Sequence, residues 1–591
     1  MAVIVAQPPL GLQPLIVAAF VALALLGIAP CALGADAPAD RAALATLYAA
    51  TGGANWADRS NWLVASASMC TWSGVECAPS QCATAPLSNA TLLCRVTSIQ
   101  LPRNRLAGAL PVVGFFNRMA SLTHLDLAGN PQLASSIPAT VCDSTSLFHI
   151  ALQLCGFVGS IPPCISTMVQ LQHVSLAENR LVGPAPDLSA LTGLVTLELG
   201  GNAFSGEFPL SSLSGMRNLV TLSLSYEPNP LRPTYTNSTF YASRDLVSLC
   251  GLVKLQTLIA VAFGLTGAAP TCFANLTKLA NVNLALNKLT SSLWDFSLQS
   301  NLQRLVVNGN FLSGSLPVSL CQTDLQTLSL NDNRITGPIP SCIGDLSNLQ
   351  TLHLGNNAFH SSLPESFGFL QSVSYLNLSN NRFSSTIPSS WFDMSALRDL
   401  DLSHNQLVGN IPSEWNQLAE LVRLQLQHNS LSGELVLHRS PSARLVLIDV
   451  SHNRFGPTLT PLAPLTNADT SLRWLVAFFC TFFHGYFVQI LKYFTHASTF
   501  NPALSPQVGC SLECVLLPIP GVCGFGRGRA QIAMSDRRGN PGAAHCGGRR
   551  SGGHSNCSSF SAASKLQGVQ TVRETRRICI HAGRRGRGSG V

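Results

Sequence analysis

The sequence predicts an α/β solenoid, a chain wound into about fifteen stacked turns whose short parallel strands form one concave β-sheet. Two patterns carry this prediction. The first, L-x-x-L-x-L-x-x-N, recurs fifteen times between Val96 and Leu459, and most neighbouring copies are 23 or 24 residues apart. The second, L-x-G-x-I-P, follows the asparagine in many copies, as in LSGSLP (312–317) and ITGPIP (335–340).

Each copy of the first pattern predicts one strand and one turn. Alternation along the L-x-L segment points its two leucines inward and the residue between them outward. The asparagine amide can satisfy backbone groups of its own bend and of the next turn, which predicts a buried ladder. Cys155 takes the asparagine position in the third copy. The ladder asparagines are Asn104, Asn130, Asn179, Asn202, Asn287, Asn310, Asn333, Asn357, Asn381, Asn405, Asn429 and Asn453.

Together the two patterns resemble the plant-type class of leucine-rich-repeat proteins, over residues 96–460. The resemblance implies a second short strand in each turn and a right-handed superhelix. The preceding segment, residues 35–95, contains ALATLYAATGGANWADRSNW (43–62) and CTWSGVEC (70–77), which look like the cap of such proteins. A cap keeps the apolar end of the first turn away from water. The family implies a Cys70–Cys77 disulfide, and Cys82 and Cys94 form a second candidate pair.

Six further cysteines lie at regular distances from the turn prolines. Cys142 and Cys321 lie four residues after a proline, and their partners in the next turn lie two residues after one. Equivalent positions on adjacent turns come within disulfide reach, whereas the alternative is six buried free thiols. The predicted disulfides are Cys142–Cys164, Cys250–Cys272 and Cys321–Cys342.

The first 34 residues predict a signal peptide. An uncharged apolar run, Leu15–Ile28, precedes the small residues Ala32, Gly34 and Ala35. No Lys or Arg precedes the run, so an apolar helix that stays attached is the alternative. Disulfides require an oxidising compartment, which favours the secretory pathway and a cell-surface or extracellular location. N-glycosylation sequons, which fit that location, begin at Asn89, Asn237, Asn275 and Asn377.

The net charge of +8 comes from the carboxyl-terminal tail. Residues 492–591 hold 14 of the 36 Lys and Arg but only 3 of the 28 Asp and Glu, so the repeats are slightly acidic. Binding to nucleic acid needs basic residues on the binding face, and we therefore expect no nucleic-acid partner. The tail is rich in Gly, Arg and Ser and lacks periodicity, which predicts disorder.

The uncharged run 474–491, between Arg473 and Lys492, is just long enough to span a bilayer. The basic segment that follows would fit the cytoplasmic side of such a membrane span, where Lys and Arg are enriched. His484, Gln489 and the many aromatic residues argue against this interpretation. A transmembrane helix, a buried carboxyl-terminal cap and a stretch without a specific fold all remain open.

An insertion near 225–250 interrupts the repeats, and Phe263 takes the next ladder position. Its prolines and aromatic residues give it an irregular, aromatic surface. In receptor ectodomains of the resembled family such an island folds over the concave face and helps to hold ligand. A convex-side loop that merely tolerates extra length is the alternative.

The sequence contains none of the motifs that would indicate an enzyme. Metalloprotease H-E-x-x-H, G-x-S-x-G, P-loop and kinase motifs do not occur, and we expect no catalytic residues, cofactor or metal site. His404, His428 and His452 recur every 24 residues, which would bring their imidazoles close enough to couple their titration or share a metal. S-H-N is also an ordinary way for this repeat class to enter its turn, so the column is also explained without a function.

The resemblance extends to receptor-like proteins, which have a repeat ectodomain without a kinase domain. It implies a peptide, glycan or protein ligand on the concave face and signalling through a partner such as a co-receptor. The alternative is a secreted inhibitor similar to the polygalacturonase-inhibiting proteins, which would need no membrane anchor. Candidate binding residues are the outward column Ser329, His353, Asn377, Asp401, Gln425 and Asp449, and the apolar patch Ile259, Val261 and Val306 beneath the insertion.

Overall fold

The computed structural model describes residues 37–83, 93–225, 239–242, 246–436, 444, 446–460, 474–476 and 517–518. The expected signal peptide and, apart from residues 517–518, the expected disordered tail lie outside these residues.

The described part of the chain before the repeats begins with an α-helix, Pro38–Ala50. Proline suits the first helical position because its fixed φ matches the helix and its missing N–H would have no partner there. Trp62 contacts three other aromatic rings, with centroid distances of 5.9 Å to Tyr48, 4.7 Å to Trp56 and 5.0 Å to Trp72. These rings and the inner face of the helix form the core of the cap. The buried helix residues are Asp40, Ala43, Leu44, Leu47 and Tyr48.

The cap joins the repeats through the edge of the concave sheet. Its strand Val75–Ala78 pairs antiparallel with Arg95–Gln100, the strand of the first repeat, so that Val75 lies opposite Ile99. An unpaired edge strand would expose a row of N–H and C=O groups. The antiparallel strand pairs with that edge of the first repeat and covers it.

The concave sheet contains the fifteen strands that the repeats predict, paired in parallel and in register from Arg95–Gln100 onwards. The inward residue at the middle of every strand is at most 3% exposed. Stacking of these aliphatic side chains is therefore the main source of the core. The fourteen strands after the first are His124–Asp126, His149–Ala151, His173–Ser175, Thr196–Glu198, Thr221–Ser223, Thr257–Ile259, Asn281–Asn283, Arg304–Val306, Thr327–Ser329, Thr351–His353, Tyr375–Asn377, Asp399–Asp401, Arg423–Gln425 and Leu447–Asp449.

The asparagine ladder forms as predicted. Asn287 shows the pattern, because its Nδ2 donates to the carbonyls of Ala260 and Leu284 at 2.7 and 2.9 Å. Its Oδ1 accepts from the backbone N–H groups of Phe263 and Leu265, both at 3.0 Å. One side chain thus satisfies backbone groups of two turns, and unsatisfied buried groups would be costly.

The second strand of each turn, which the family resemblance implies, is present in most repeats. These strands pair in parallel in small sheets beside the main one. They are Val158–Gly159, Arg180–Gly183, Ala203–Phe208 and Thr239–Ala242 in one sheet, Thr266–Ala268 and Lys288–Thr290 in another, Thr336–Gly337, Ala358–Ser361 and Arg382–Phe383 in a third, and Val408–Gly409, Ser430–Val436 and Arg454–Thr460 in a fourth.

The side of each turn opposite the main sheet is a single turn of 3₁₀-helix in most repeats. Among the described residues the cap helix is the only α-helix. About five residues separate the turn proline from the following loop, which is enough for a 3₁₀ turn but short for an α-helix. The 3₁₀-helices of the repeats are Phe116–Arg118, Ala139–Asp143, Pro163–Thr167, Leu210–Leu213, Leu246–Gly251, Thr271–Asn275, Val318–Gln322, Ser341–Asp345, Glu365–Phe369, Ser389–Asp393 and Ser413–Gln417. Those of the cap are Gly53–Asn55, Met69–Thr71 and Ser80–Ala83.

All five predicted disulfides are present, and their Cα–Cα distances are 5.5–6.1 Å. In the described part of the chain, Cys155 is the one free cysteine. Its Sγ donates to the carbonyl of Leu127 at 2.9 Å, so the thiol takes over part of the asparagine's role in the ladder.

Two segments depart from the regular repeats. Of the insertion, the structure describes only the strand Thr239–Ala242, which pairs with Ala203–Phe208, and the residues that flank it. Of the run 474–491, it describes only Trp474–Val476, a strand parallel to Leu447–Asp449 that also pairs antiparallel with Leu517–Pro518. Within the described residues, no helix has the length and apolar character needed to cross a membrane, and 477–491 lie outside them.

Candidate ligand-binding site

The six polar residues predicted from the outward column form one continuous row on the concave sheet, which we call the polar stripe. They are successive register partners on six strands. With neighbouring strands about 4.8 Å apart, the row is roughly 24 Å long. Ser329 is only 8% exposed, so it is less accessible than the other five. The polar stripe consists of Ser329, His353, Asn377, Asp401, Gln425 and Asp449.

Three residues of the polar stripe also stabilise the ends of their strands, a role that the sequence analysis missed. Asp401 Oδ1 accepts hydrogen bonds from the N–H and hydroxyl of Ser403 at 3.0 and 2.6 Å. Asn377 and Asp449 make the equivalent bond to the N–H two residues later. Replacement of these residues by alanine therefore removes a local turn as well as an outward polar group.

Burial shifts the protonation of two residues in the polar stripe. It lowers the pKa of His353, although the charge of Asp399 acts in the opposite direction. It raises the pKa of Asp449, and repulsion from Asp401 acts in the same direction. Both shifts favour the uncharged form of the side chain.

A second outward column, formed by the first residue of each strand, runs beside the polar stripe. Tyr375, which is 40% exposed, is followed on the next two strands by Asp399 and Arg423, which form an ion pair. The sequence analysis did not include these residues, although they point outward by the same alternation. They widen the candidate surface and add an aromatic ring to it.

The apolar patch lies on the same sheet and is larger than predicted. Val261 and Val306 cluster with Ala285, and Ile259 packs against them. Val261, Ala285 and Val306 are 5–8% exposed and separate from the main core. The backbone N–H of Val261 donates to the hydroxyl of Ser225, the last described residue before the insertion. The apolar patch therefore lies next to Ser225, the residue at which the insertion begins.

The histidine column His404, His428 and His452 occupies a turn position with left-handed backbone. Their φ values are 53°, 58° and 53°. Asn, Asp and His adopt this conformation more often than other non-glycine residues, which explains the recurrence of histidine without a function. The rings stack at centroid distances of 4.2 and 4.0 Å. Burial, reinforced by the two neighbouring imidazoles, lowers the pKa of His428 to about 4.

The predicted glycosylation sites differ in their surroundings. Asn275 is exposed at the end of a 3₁₀-helix on the side opposite the concave sheet. Asn377 belongs to the polar stripe, and its Oδ1 accepts from the sequon hydroxyl of Ser379 at 2.7 Å. Asn89 and Asn237 lie outside the described residues.

Comparisons with known proteins agree with this fold. Family models described as leucine-rich repeat match residues 323–383 and 396–418. Receptor-like protein 39 of Arabidopsis thaliana is 32% identical over 189 residues, which are 32% of this chain and 20% of that protein. Receptor-like kinase TMK2 of the same plant is 25% identical over 244 residues, covering 33% of this chain and 27% of the kinase. The matches thus span about a fifth to a quarter of the length of these relatives.

Two solved structures match over longer stretches. The Arabidopsis receptor kinase HAESA ectodomain, in complex with an extended IDA peptide hormone, aligns with a TM-score of 0.57 and 27% identity, covering 70% of this chain and 69% of that one. The plant peptide hormone receptor RGFR1, in complex with RGF2, aligns with a TM-score of 0.54 and 28% identity, covering 66% and 63%. The chain therefore has the fold of a leucine-rich-repeat solenoid, and it is similar to plant receptor-like proteins and to the ectodomains of plant peptide hormone receptors.

Proposed function

We propose that this chain is a cell-surface or extracellular recognition protein that binds a ligand on the polar stripe and signals through a partner protein. The observation that carries the proposal is the unbroken register of six polar outward residues on consecutive strands. A run of donors and acceptors on a rigid sheet is suited to directional binding.

The ligand class that we favour is a peptide. Both matched ectodomain structures were solved with peptide hormones. The surface of this chain combines neutral, acidic and basic groups with the ring of Tyr375, so that it can bond to a peptide backbone and also contact side chains. A glycan or a folded protein remains the alternative ligand.

We propose binding without catalysis. The described polar side chains of the stripe are spaced one per strand, about 4.8 Å apart, along a row. A nucleophile, its base and an oxyanion site would instead have to converge on one reacting atom.

The experiment that tests the proposal is selection of displayed random peptides on the full chain. We expect selected peptides to bind the Asp401→Asn and His353→Ala variants more weakly, by more than about 1 kcal/mol each. Asp401→Asn keeps the oxygen that accepts from Ser403 and removes the charge. It also creates an Asn-Leu-Ser sequon, so all variants are produced in a host that does not N-glycosylate. A matched control, Glu365→Gln on a 3₁₀-helix away from the concave sheet, should bind as the wild type does. Equal affinity for all variants would mean that the residues of the polar stripe only face solvent and do not contact the peptide.

A further inference from the structure

Three histidines occupy consecutive strands near the amino-terminal end of the concave sheet. His124 pairs in register with His149, and His149 with His173. Their ring centroids are 5.7 and 5.4 Å apart, and the ring planes are inclined by 33° and 42°. All three side chains are half-buried and point outward. We call this row the histidine ladder.

The spacing in the histidine ladder matches that of two imidazoles on one metal ion. A zinc ion lies 2.0–2.1 Å from a ligating ring nitrogen, and hence about 3.2 Å from the centre of that ring. At a tetrahedral angle, the two ring centres are then about 5.2 Å apart. The observed 5.4 and 5.7 Å differ from this by half an ångström or less.

Hydrogen bonds assign the tautomer of one histidine. The hydroxyl of Thr123 donates its proton to the carbonyl of Thr97 at 2.8 Å. That hydroxyl oxygen also lies 3.0 Å from His124 Nδ1, so Nδ1 must carry the proton and donate it. The lone pair of His124 is therefore on Nε2. A hydrogen bond at Nδ1 of this kind is what normally orients a metal-ligating histidine.

The electrostatics of the ladder favour a cation. Two carboxylates face the ladder: Asp126 on the strand of His124, and Glu198, which accepts from Ser175 at 2.6 Å. Both would repel an anion and attract a cation.

We propose that the histidine ladder binds a divalent transition-metal ion such as Cu²⁺, Ni²⁺ or Zn²⁺ through two neighbouring imidazoles, with His149 common to both pairs. In the described part of the chain, the single group of three His, Cys, Asp or Glu ligand atoms within 4.8 Å of one another is Cys70, Cys82 and Cys94. Those sulfurs are in disulfides. The ladder thus supplies two ligands to an ion, and water or a donor group of a bound molecule completes the coordination.

The chain contains its own control. The column His404, His428 and His452 has the same number of imidazoles, but these rings lie face to face with planes only 19° and 10° apart. The nitrogens of stacked parallel rings point in parallel directions and do not converge on one ion. Metal should therefore distinguish the two columns.

Residue-resolved carbethoxylation of the full chain, with and without ZnCl₂, tests the proposal. A metal-bound imidazole nitrogen is unavailable to the reagent. We expect Zn²⁺ to protect His149 and at least one of its two ladder neighbours, and to leave His428 labelled as before. Unchanged labelling of His149, or equal protection of His428, would overturn the proposal.

Metal stoichiometry provides a second measurement. His149→Thr should reduce the Zn²⁺ bound by the full chain by one ion, whereas His428→Gly should not change it. Threonine is a matched substitute because Thr196, Thr221 and Thr257 occupy the same position on other strands. Equal Zn²⁺ content in wild type and His149→Thr would contradict the proposal. Neither measurement uses the ligand of the polar stripe, so the two proposals can fail separately.

Discussion

The buried carboxylate of Asp40 lies 3.1 Å from the guanidinium of Arg95. It also accepts a hydrogen bond from the backbone N–H of Val96 at 2.8 Å. Burial raises the pKa of Asp40, while the Val96 amide and the charge of Arg95 act in the opposite direction. One side chain of the cap helix is thereby attached to the first strand of the repeats.

We predict that Asp40→Ala loosens the contact between the cap and the first repeat. Removing one partner of a buried pair costs roughly 3–5 kcal/mol, and the 31% exposure of Arg95 favours the lower end. Hydrogen exchange of the Val96 amide should accelerate accordingly. Asp40→Asn keeps an acceptor for that amide and should lose much less protection. Similar exchange in both variants would mean that the charge, and not the hydrogen bond, holds the cap.

We predict that Cys155 does not react with iodoacetamide in the native protein at pH 8. Burial raises the pKa of its thiol to about 11, so little of the reactive thiolate is present. Alkylation measured by mass spectrometry should appear only after unfolding in denaturant. Rapid modification of the native protein would show that the third turn opens.

We predict that acid destabilises the protein partly through His428. Because its folded-state pKa is about 4 and its ordinary value is 6.5, the unfolded chain binds a proton that the folded chain does not. Stability should therefore fall as pH decreases from about 6.5 towards 4, and this contribution should vanish above that window. His428→Gly should show a smaller drop in Tm between pH 7 and pH 5. Glycine suits the left-handed backbone, as Gly129, Gly201 and Gly309 do at the equivalent turn position. An identical drop in both proteins would contradict the prediction.

We predict that substitutions on the inward and outward faces of one repeat, at Leu402 and at Asp401, change the free energy of unfolding by very different amounts. Leu402 is 0% exposed, and Leu402→Ala should cost roughly 2–5 kcal/mol because it opens a cavity between stacked turns. Asp401→Asn should change stability by less than about 0.5 kcal/mol. Asp401→Ala should fall between them, since it loses the turn to Ser403. Urea unfolding of the three variants gives the order, and a loss from Asp401→Asn as large as that from Leu402→Ala would contradict it.

Much of the fold follows from the sequence because the repeat constrains each position in the same way. The leucine at 402 has equivalents in most other copies, so its inward direction is fixed by periodicity. The cysteine pairs follow for a related reason, since equal offsets from proline on adjacent turns imply proximity. The exception at Cys155 also has a local explanation. In other turns a leucine N–H donates to the Oδ1 of the next ladder asparagine, as Leu106 N–H does to Asn130. In the turn before Cys155, the N–H of Leu133 donates to the carbonyl of Asn130 and does not need that side chain.

The parts of the candidate site that the sequence did not reveal depend on contacts between columns. The bond from Ser403 to Asp401 and the ion pair of Asp399 with Arg423 require side-chain geometry that no period encodes. The histidine ladder had a signal, because His124, His149 and His173 recur at intervals of 25 and 24 residues. The change from 24 to 25 hides it from a search at constant spacing.

The register of the polar stripe restricts how an extended peptide could be read. Strands follow one another about every 4.8 Å across the sheet, whereas side chains on one face of an extended peptide recur about every 6.7 Å. The two spacings coincide only about once in seven strands, which is longer than the stripe. In a peptide that crosses the stripe, only one or two side chains would thus lie directly over a strand, and the others would lie between two strands. Specificity would rest on those few positions, and sequence changes elsewhere in the ligand would be tolerated.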